Sequence, residues 1–229
     1  MIALTLVIAI CAVTMGLAVR DGVYSARGMI VSFMVMISLY QPLVAIGPYG
    51  HRFLYANVWF AAVLAVLVWI TIRAGYLFAL RTVHMVTLYM AFALASLYAM
   101  SLVAFVPDPT IQSALTVETP PHIFAIWSGY VLASGAAIGV ATITEKFSVP
   151  ARFALSLTAG HLLFEFVLFL SFFAGFPVRL SVMGAALILK LALSMPFAAI
   201  TVLFGETISS QQGRASLKEP AGSSARNRG

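Results

Sequence analysis

Three ionisable residues lie inside runs that are otherwise apolar, and two of them have the spacing of neighbours on a helix. His161 and Glu165 are four residues apart within "HLLFEFVLFLSFFAGF", and Lys190 follows within "LILKLALSMPF". Residues four apart share one face of a helix. An imidazole, a carboxylate and an ammonium group on neighbouring helices could hold a polar ligand or couple its binding to a proton. We therefore take these three residues as the centre of a candidate binding site.

The elements that carry these residues are predicted to be membrane helices. The chain has 229 residues, of which 62% are hydrophobic and 9% charged, and its mean hydropathy is +1.03. Seven runs are long enough to cross a bilayer, and they are continuously apolar rather than alternating, which favours helix over strand. The predicted fold is an all-α, polytopic membrane bundle of six to seven transmembrane helices, with seven preferred. The runs lie near Ile2–Val19, Gly28–Gly47, Phe53–Ile72, Val83–Val106, His122–Thr144, Phe153–Phe173 and Leu180–Phe204.

Basic residues orient the predicted bundle in the cell membrane. With seven spans, ten lysines and arginines fall on one side, and only Arg52 and Arg179 fall on the other. Because basic loops stay in the cytoplasm, we expect the N-terminus outside and the C-terminus inside. The net charge of +6 then reflects topology and contact with anionic lipid heads, and no nucleic-acid partner is expected. The ten are Arg20, Arg27, Arg73, Arg81, Lys146, Arg152, Arg214, Lys218, Arg226 and Arg228.

Little of the chain remains outside the predicted helices. Residues 1–206 form the transmembrane domain, and residues 207–229 are polar, rich in Gly and Ser and without apolar periodicity, which predicts a disordered cytoplasmic tail. The loop at 107–121 carries acids and no basic residue, as expected of an outer loop. The lone cysteine, Cys11, excludes a disulfide within one chain.

The depths of the three ionisable residues match. Counting about 1.5 Å per residue from the outer end of each span puts Glu165 at ~12 Å, Lys190 at ~15 Å and His161 at ~18 Å. An unpaired charge at such depth costs about 2.5–3.5 kcal/mol or more, so these groups should face inward and satisfy one another. Glu165 and Lys190 could merely hold two helices together. Buried ion pairs, however, are poor stabilisers, and ionisable residues inside a membrane usually mark functional sites. We therefore predict a substrate-binding role for these residues.

Further residues complete the predicted site and its supports. Thr158 lies one turn before His161, and Asn57 lies near the outer end of the third span. Pro196 should kink the last helix beside Lys190, and Gln41-Pro42 should break the second. The fifth span carries a stripe of small residues every four positions, and Gly135 and Gly139 add a second stripe, so this helix is predicted to pack closely against its neighbours. The first stripe consists of Gly129, Ala133, Ala137 and Ala141.

The order of residues over the last hundred positions resembles the vitamin uptake transporter family, also called queuosine precursor transporters. That family is similar to the substrate-binding components of energy-coupling factor importers. In it an arginine opens a helix with small hydroxyl residues, an amide and an acid. A Phe-rich segment ending in glycine follows, and the next helix carries a lysine before a proline. His161 stands where the family has an amide, and the family's N-terminal acidic signature is absent. The matching positions are Arg152, Ser156, Thr158, His161, Glu165, Phe172, Gly175, Lys190 and Pro196.

Three classes of function fit this pattern to different degrees. The first, which the resemblance implies, is uptake or binding of a small purine-like or vitamin-like molecule, with no cofactor and no metal. The second is a sensory or anchoring membrane module, and a partner subunit or a second copy of the chain remains open for both. The third is a retinal-binding rhodopsin, which is disfavoured because the third span has no carboxylate and Ala186 stands one turn before Lys190. We find no motif of an enzyme.

Overall fold

The computed structural model describes residues 2–40, 44–46, 52–54, 56–102, 119–173 and 180–216. Within these ranges the chain forms seven α-helices and one short antiparallel β-hairpin. The helices are α1 (Ile2–Asp21), α2 (Val23–Tyr40), α3 (Ala56–Ala74), α4 (Tyr76–Leu102), α5 (Thr119–Ile143), α6 (Val149–Phe173) and α7 (Leu180–Ser216), and the strands are β1 (Val44–Ile46) and β2 (Arg52–Leu54).

Four of these helices contain segments long and apolar enough to cross a membrane. They are Leu4–Asp21, Ala56–Ala74, Val149–Leu170 and Met183–Gly205, and the other three described helices contain shorter apolar segments. On α1 the apolar residues Leu6, Ile10, Val13 and Leu17 are all more than half exposed. Their spacing of four, three and four residues puts them on one face, as expected of a helix side that contacts lipid. The chain is a helical membrane protein.

Helix α3 is the centre of the bundle. It contacts each of the other six described helices, and nearly every residue from Ala56 to Thr71 is buried. Its sequence, "ANVWFAAVLAVLVWITIRA", is apolar on all sides, which is the pattern of a helix that protein surrounds completely. The residues that α3 presents to its neighbours therefore form the core of the described structure.

Single glycines join α1 to α2 and α3 to α4. Gly22 and Gly75 have φ angles of +119° and +84°, a region that residues with a side chain rarely adopt. The Gly22 amide donates to the carbonyls of Ala18 and Val19, and its own carbonyl accepts from the amide of Ala26. Each glycine thus ends one helix and begins the next. The connection predicted around "RDGVYSAR" is consequently one residue long, and α2 begins at Val23 instead of Gly28.

The described residues between α2 and α3 form two paired strands and not helix. The predicted second span ran to Gly47 and the third began at Phe53, but α2 ends at Tyr40, and Val44 pairs with Leu54 in an antiparallel ladder. A residue before proline disfavours helical geometry, so Gln41-Pro42 is a physical reason for the early end of α2, although both residues lie outside the described ranges. Strand β2 contacts α3 and α7.

The last helix is longer than predicted. We expected the tail to begin at residue 207, but α7 continues to Ser216. Residues 206–216, "ETISSQQGRAS", contain no proline, and Glu, Gln, Arg and Ala favour helix, so adding turns to an existing helix costs little. The rest of the predicted tail, 217–229, and residues 107–118 of the predicted outer loop lie outside the described residues.

Small residues bring α5 and α6 together. A methyl group on Gly160 of α6 would lie 3.1 Å from the Ala133 carbonyl oxygen, and one on Gly129 of α5 would lie 3.1 Å from the Phe164 ring. The first stripe on α5 is therefore a packing surface inside the protein, as predicted. The second stripe behaves differently, because a methyl group on Gly135 or Gly139 would meet nothing within 4 Å.

The turns at Gly22, at Gly75 and between α5 and α6 lie at one end of the bundle, which we call the basic end. Tyr24 and Arg27 of α2 both contact the ring of Phe78 of α4, so the two glycine turns are adjacent. Arg73 at the end of α3 donates to the Gly205 carbonyl of α7 at 2.7 Å. These contacts gather the arginines of α1 to α4 at the same end of the described structure.

Candidate functional site

The three ionisable residues of the prediction lie together in the protein interior. His161 and Glu165 of α6 and Lys190 of α7 are 0%, 7% and 1% exposed. Helices α6 and α7 are antiparallel. A pair of residues one turn apart on α6 can therefore lie opposite a pair one turn apart on α7. Glu165 is thereby opposite Lys190, and His161 is opposite Ser194.

Glu165 and Lys190 form an ion pair through Oε1 of the carboxylate. Their side chains are 9% and 1% exposed, so neither charge is screened by solvent. The second carboxylate oxygen, Oε2, is also buried, and it has no hydrogen-bond partner among the described residues. The pair is therefore electrically balanced, but only half of the carboxylate's hydrogen-bonding capacity is used.

Aromatic rings cover the ammonium group of Lys190. Its Nζ lies 4.2 Å from the centroid of the Phe164 ring and 5.5 Å from that of Phe60. The two rings pack against each other with centroids 4.4 Å apart and planes tilted by 39°. A cation over ring faces is attracted by their quadrupole, more strongly where water is excluded. Lys190 is thus held by one carboxylate oxygen and two rings.

His161 bonds to Ser194 and not to Glu165. Its Nε2 lies 2.6 Å from Ser194 Oγ, which itself donates to the Lys190 carbonyl at 2.6 Å. A hydroxyl has one proton, so Ser194 accepts from the histidine and the proton of the neutral ring is on Nε2. Nδ1 is then a bare acceptor, buried and without a partner in the described structure. The expectation that all three groups satisfy one another is met for the ion pair only.

Phe60 of α3 joins this cluster to α5. Its ring centroid lies 5.7 Å from that of His161 and 6.3 Å from that of Tyr130, both in edge-on geometry. Tyr130 is fully buried, and Ser134 lies one turn later on the same helix and is also buried. We call Phe60, Tyr130, His161, Phe164, Glu165, Lys190 and Ser194 the central cluster.

Sequence analysis missed four members of the central cluster for two reasons. Phe60, Tyr130 and Phe164 lie in runs where almost every residue is apolar, so no periodicity marks the side that faces the ion pair. Ser194 could have been found, because it lies one turn beyond Lys190 just as His161 lies one turn before Glu165. Antiparallel packing of two such helices predicts both contacts at once.

The other predicted residues lie in different places. Asn57 is buried one turn from Phe60 on α3, and its Nδ2 has no partner within the described structure. Thr158, one turn before His161 on α6, is exposed and makes no described contact with the cluster. Pro196 lies inside α7, but its side chain is exposed, so the missing backbone donor is on the outward face. The structure thus brings Asn57 towards the cluster and leaves Thr158 outside it.

The geometry suits binding better than nucleophilic catalysis. A serine nucleophile must give its proton to the histidine, whereas here Ser194 donates to a carbonyl and His161 presents a protonated nitrogen to it. Around the ion pair and the histidine, the unused atoms among the described residues are acceptors, namely Glu165 Oε2 and His161 Nδ1. They would accept hydrogen bonds from a ligand that brings N–H or O–H groups.

Comparison of the chain with family models, curated proteins and solved structures finds no match. The resemblance to queuosine precursor transporters therefore stays a prediction. Of the residues that carry it, Ser156 is buried, and its hydroxyl has no hydrogen-bond partner among the described residues. Arg152 donates through Nε and Nη2 to the Ala141 carbonyl of α5. The latter contact ties the start of α6 to the end of α5.

Proposed function

We propose that this membrane protein binds a small purine-like or vitamin-like molecule in the central cluster, as an uptake transporter or its solute-binding component. The observation that carries the proposal is the half-used carboxylate. Glu165 gives Lys190 one oxygen and keeps the other buried and unbonded. If the ion pair served only to hold two helices together, hydrogen bonds to both carboxylate oxygens would stabilise the fold more. A buried polar network with missing hydrogen bonds is less stable than apolar packing of the same shape.

Several other buried polar groups share this property. Each buried group without a hydrogen bond lowers the stability of the fold by about 1–3 kcal/mol. A bound ligand or ordered water that bonds to these groups would remove this destabilisation. A structural role would leave this cost unexplained. Among the described residues, these other atoms are Asn57 Nδ2, Ser156 Oγ and His161 Nδ1.

The charge of the site limits the ligand. Glu165 and Lys190 cancel, so a charged ligand would leave a net charge in the interior of the bundle, which is costly. An uncharged molecule with N–H groups avoids that cost and can bond to the free acceptors. Flat ring systems also pack well against Phe60 and Phe164. These features support a neutral, planar, nitrogen-bearing ligand over a carboxylate or a sugar phosphate.

The test is thermal stabilisation of the purified protein by a panel of purines, deazapurines and vitamins. A ligand present well above its dissociation constant raises stability by an amount that grows with the logarithm of its concentration. We expect at least one planar base to raise the melting temperature and Glu165→Gln to lose most of that rise. A flat response across the panel would favour the sensory or anchoring module instead.

We further propose that the basic end faces the cytoplasm and that the N-terminus lies outside. The arginines gathered at that end support this orientation. In a Cys11→Ala background, Ser113→Cys should react with an impermeant thiol reagent added from outside. Labelling that requires permeabilised membranes would reverse the orientation.

A further inference from the structure

Arg27 of α2 is a half-buried cation with no anion beside it among the described residues. Its guanidinium lies over the Phe78 ring of α4, with Cζ 5.5 Å from the centroid, and Nη2 contacts the sulfur of Met85. The Nε atom is buried and has no hydrogen-bond partner in the part of the chain that the structure describes. The one ion pair in the described part of the chain is that of Glu165 and Lys190, so Arg27 has no carboxylate there.

The other arginines of the basic end that contact neighbouring helices are satisfied within the chain. Arg73 donates to the Gly205 carbonyl at 2.7 Å, and Arg152 donates twice to the Ala141 carbonyl. The Ala141 carbonyl lies near the end of α5, where the backbone carries partial negative charge. A thioether and a ring face are far weaker partners for a guanidinium, which has five donors and matches oxyanions in a bidentate way.

The depth of this contact makes the missing anion expensive. Arg27 is five residues beyond the turn at Gly22, which is ~7.5 Å along α2, and its guanidinium lies between Phe78 and Met85, three and ten residues beyond Gly75. A lone charge inside the apolar part of a membrane is costly unless the bilayer thins or water and a headgroup follow it. An anion drawn to Arg27 would remove much of this cost.

The surroundings of Arg27 add positive charge. Phe78, Arg81 and Met85 are three and four residues apart, so Arg81 shares the face of α4 that contacts α2. Arg81 and His84 are exposed, and Tyr24, which packs edge-on against Phe78, is 75% exposed. On α2 and α4 the described ionisable groups near this contact are therefore basic or phenolic. Two arginines beside an interfacial tyrosine form the chemistry that recognises a phosphate group.

We infer that the cleft between α2 and α4 at the basic end binds a phosphate group through Arg27, with Arg81 as its second ligand. The phosphate can come from a phospholipid headgroup or from a soluble phosphate compound, and both present the same oxyanion. The site is separate from the central cluster and does not depend on the proposed solute.

The experiment measures melting temperature in detergent with phosphatidylglycerol, phosphatidylcholine or inorganic phosphate added. We expect a rise with phosphatidylglycerol, a smaller one with phosphatidylcholine, and loss of most of the rise in Arg27→Met. Arg20→Met, which removes an exposed arginine at the same end, should keep it. A full rise with inorganic phosphate alone would identify a soluble ligand. An equal rise in Arg27→Met and the unchanged protein would overturn the site.

A second variant tests the inference even if Arg27→Met does not fold. Met85→Glu places a carboxylate beside the guanidinium, so it should raise the melting temperature without lipid and reduce the increment from phosphatidylglycerol. If Arg27 does not bind phosphate, the increment from phosphatidylglycerol must be the same in Met85→Glu and in the unchanged protein. An unchanged increment would therefore overturn the site.

Discussion

Lys190, which is buried, and Arg27, which is half-buried, have opposite kinds of surroundings. Lys190 has a carboxylate and two aromatic rings around it, whereas Arg27 has a ring and a thioether. Lys190 lies near the middle of the bundle, where no headgroup or water can supply an anion, so the chain supplies its own. Arg27 lies nearer the basic end, where the membrane surface carries anions. Distance from that surface thus decides whether the protein must balance a charge internally.

The largest expected effect comes from breaking the internal balance. Glu165→Gln or Lys190→Met alone leaves a buried charge without its partner and should cost about 3–5 kcal/mol of stability. The double variant should recover much of that loss, because no charge remains. The two singles and the double are compared by melting temperature and, separately, by ligand binding. Ligand binding should remain lost in the double variant. If ligand binding returns, the ion pair serves only to hold the two helices together.

This pair was predictable because its determinants are local and periodic. Glu165 and His161 are one turn apart, Lys190 and Ser194 are one turn apart, and short connections make neighbouring helices antiparallel. Phe60 was not predictable, because α3 is apolar on all sides and its orientation is set only by packing. The hairpin of β1 and β2 was mistaken for helix, since a short apolar run fits either structure.

The next effect concerns the packing that holds the central cluster in register. Gly160→Ala should destabilise the protein by about 1–3 kcal/mol, because overpacking strains a close contact. The added methyl group would lie 3.1 Å from the Ala133 carbonyl oxygen, which belongs to backbone. Gly135→Ala is the matched control, since its methyl group meets nothing within 4 Å. Equal melting temperatures for the two variants would contradict the close approach of α5 and α6.

A comparable loss tests the histidine. Ser194→Ala removes the acceptor of His161 Nε2 and leaves that N–H buried, at a cost of about 1–3 kcal/mol. Thr158 is exposed on α6, the helix that carries His161, so Thr158→Ala should change stability by less than about 0.5 kcal/mol. Thr158 was predicted to contact the solute, so ligand titration of this variant separates the two views. Weakened binding with unchanged stability would restore Thr158 to the site.

The smallest change in stability is expected from truncating the far end of α7. Two truncations compare the contacts of the basic end with the tail beyond them. The described contacts of this part of α7 end at Gly205, whose carbonyl accepts from Arg73 and whose Cα lies against the indole of Trp69. Removing the chain after Ser210 keeps both contacts, and the lost residues are polar and close to the end of the chain, so the melting temperature should barely change. Removing it after Phe204 deletes Gly205 and frees the Arg73 guanidinium from its carbonyl, so that variant should melt lower. Size-exclusion chromatography in detergent checks that each truncated protein remains monodisperse. If the protein that ends at Ser210 also loses stability, residues 211–229 pack on the bundle, and the basic end includes contacts beyond those described.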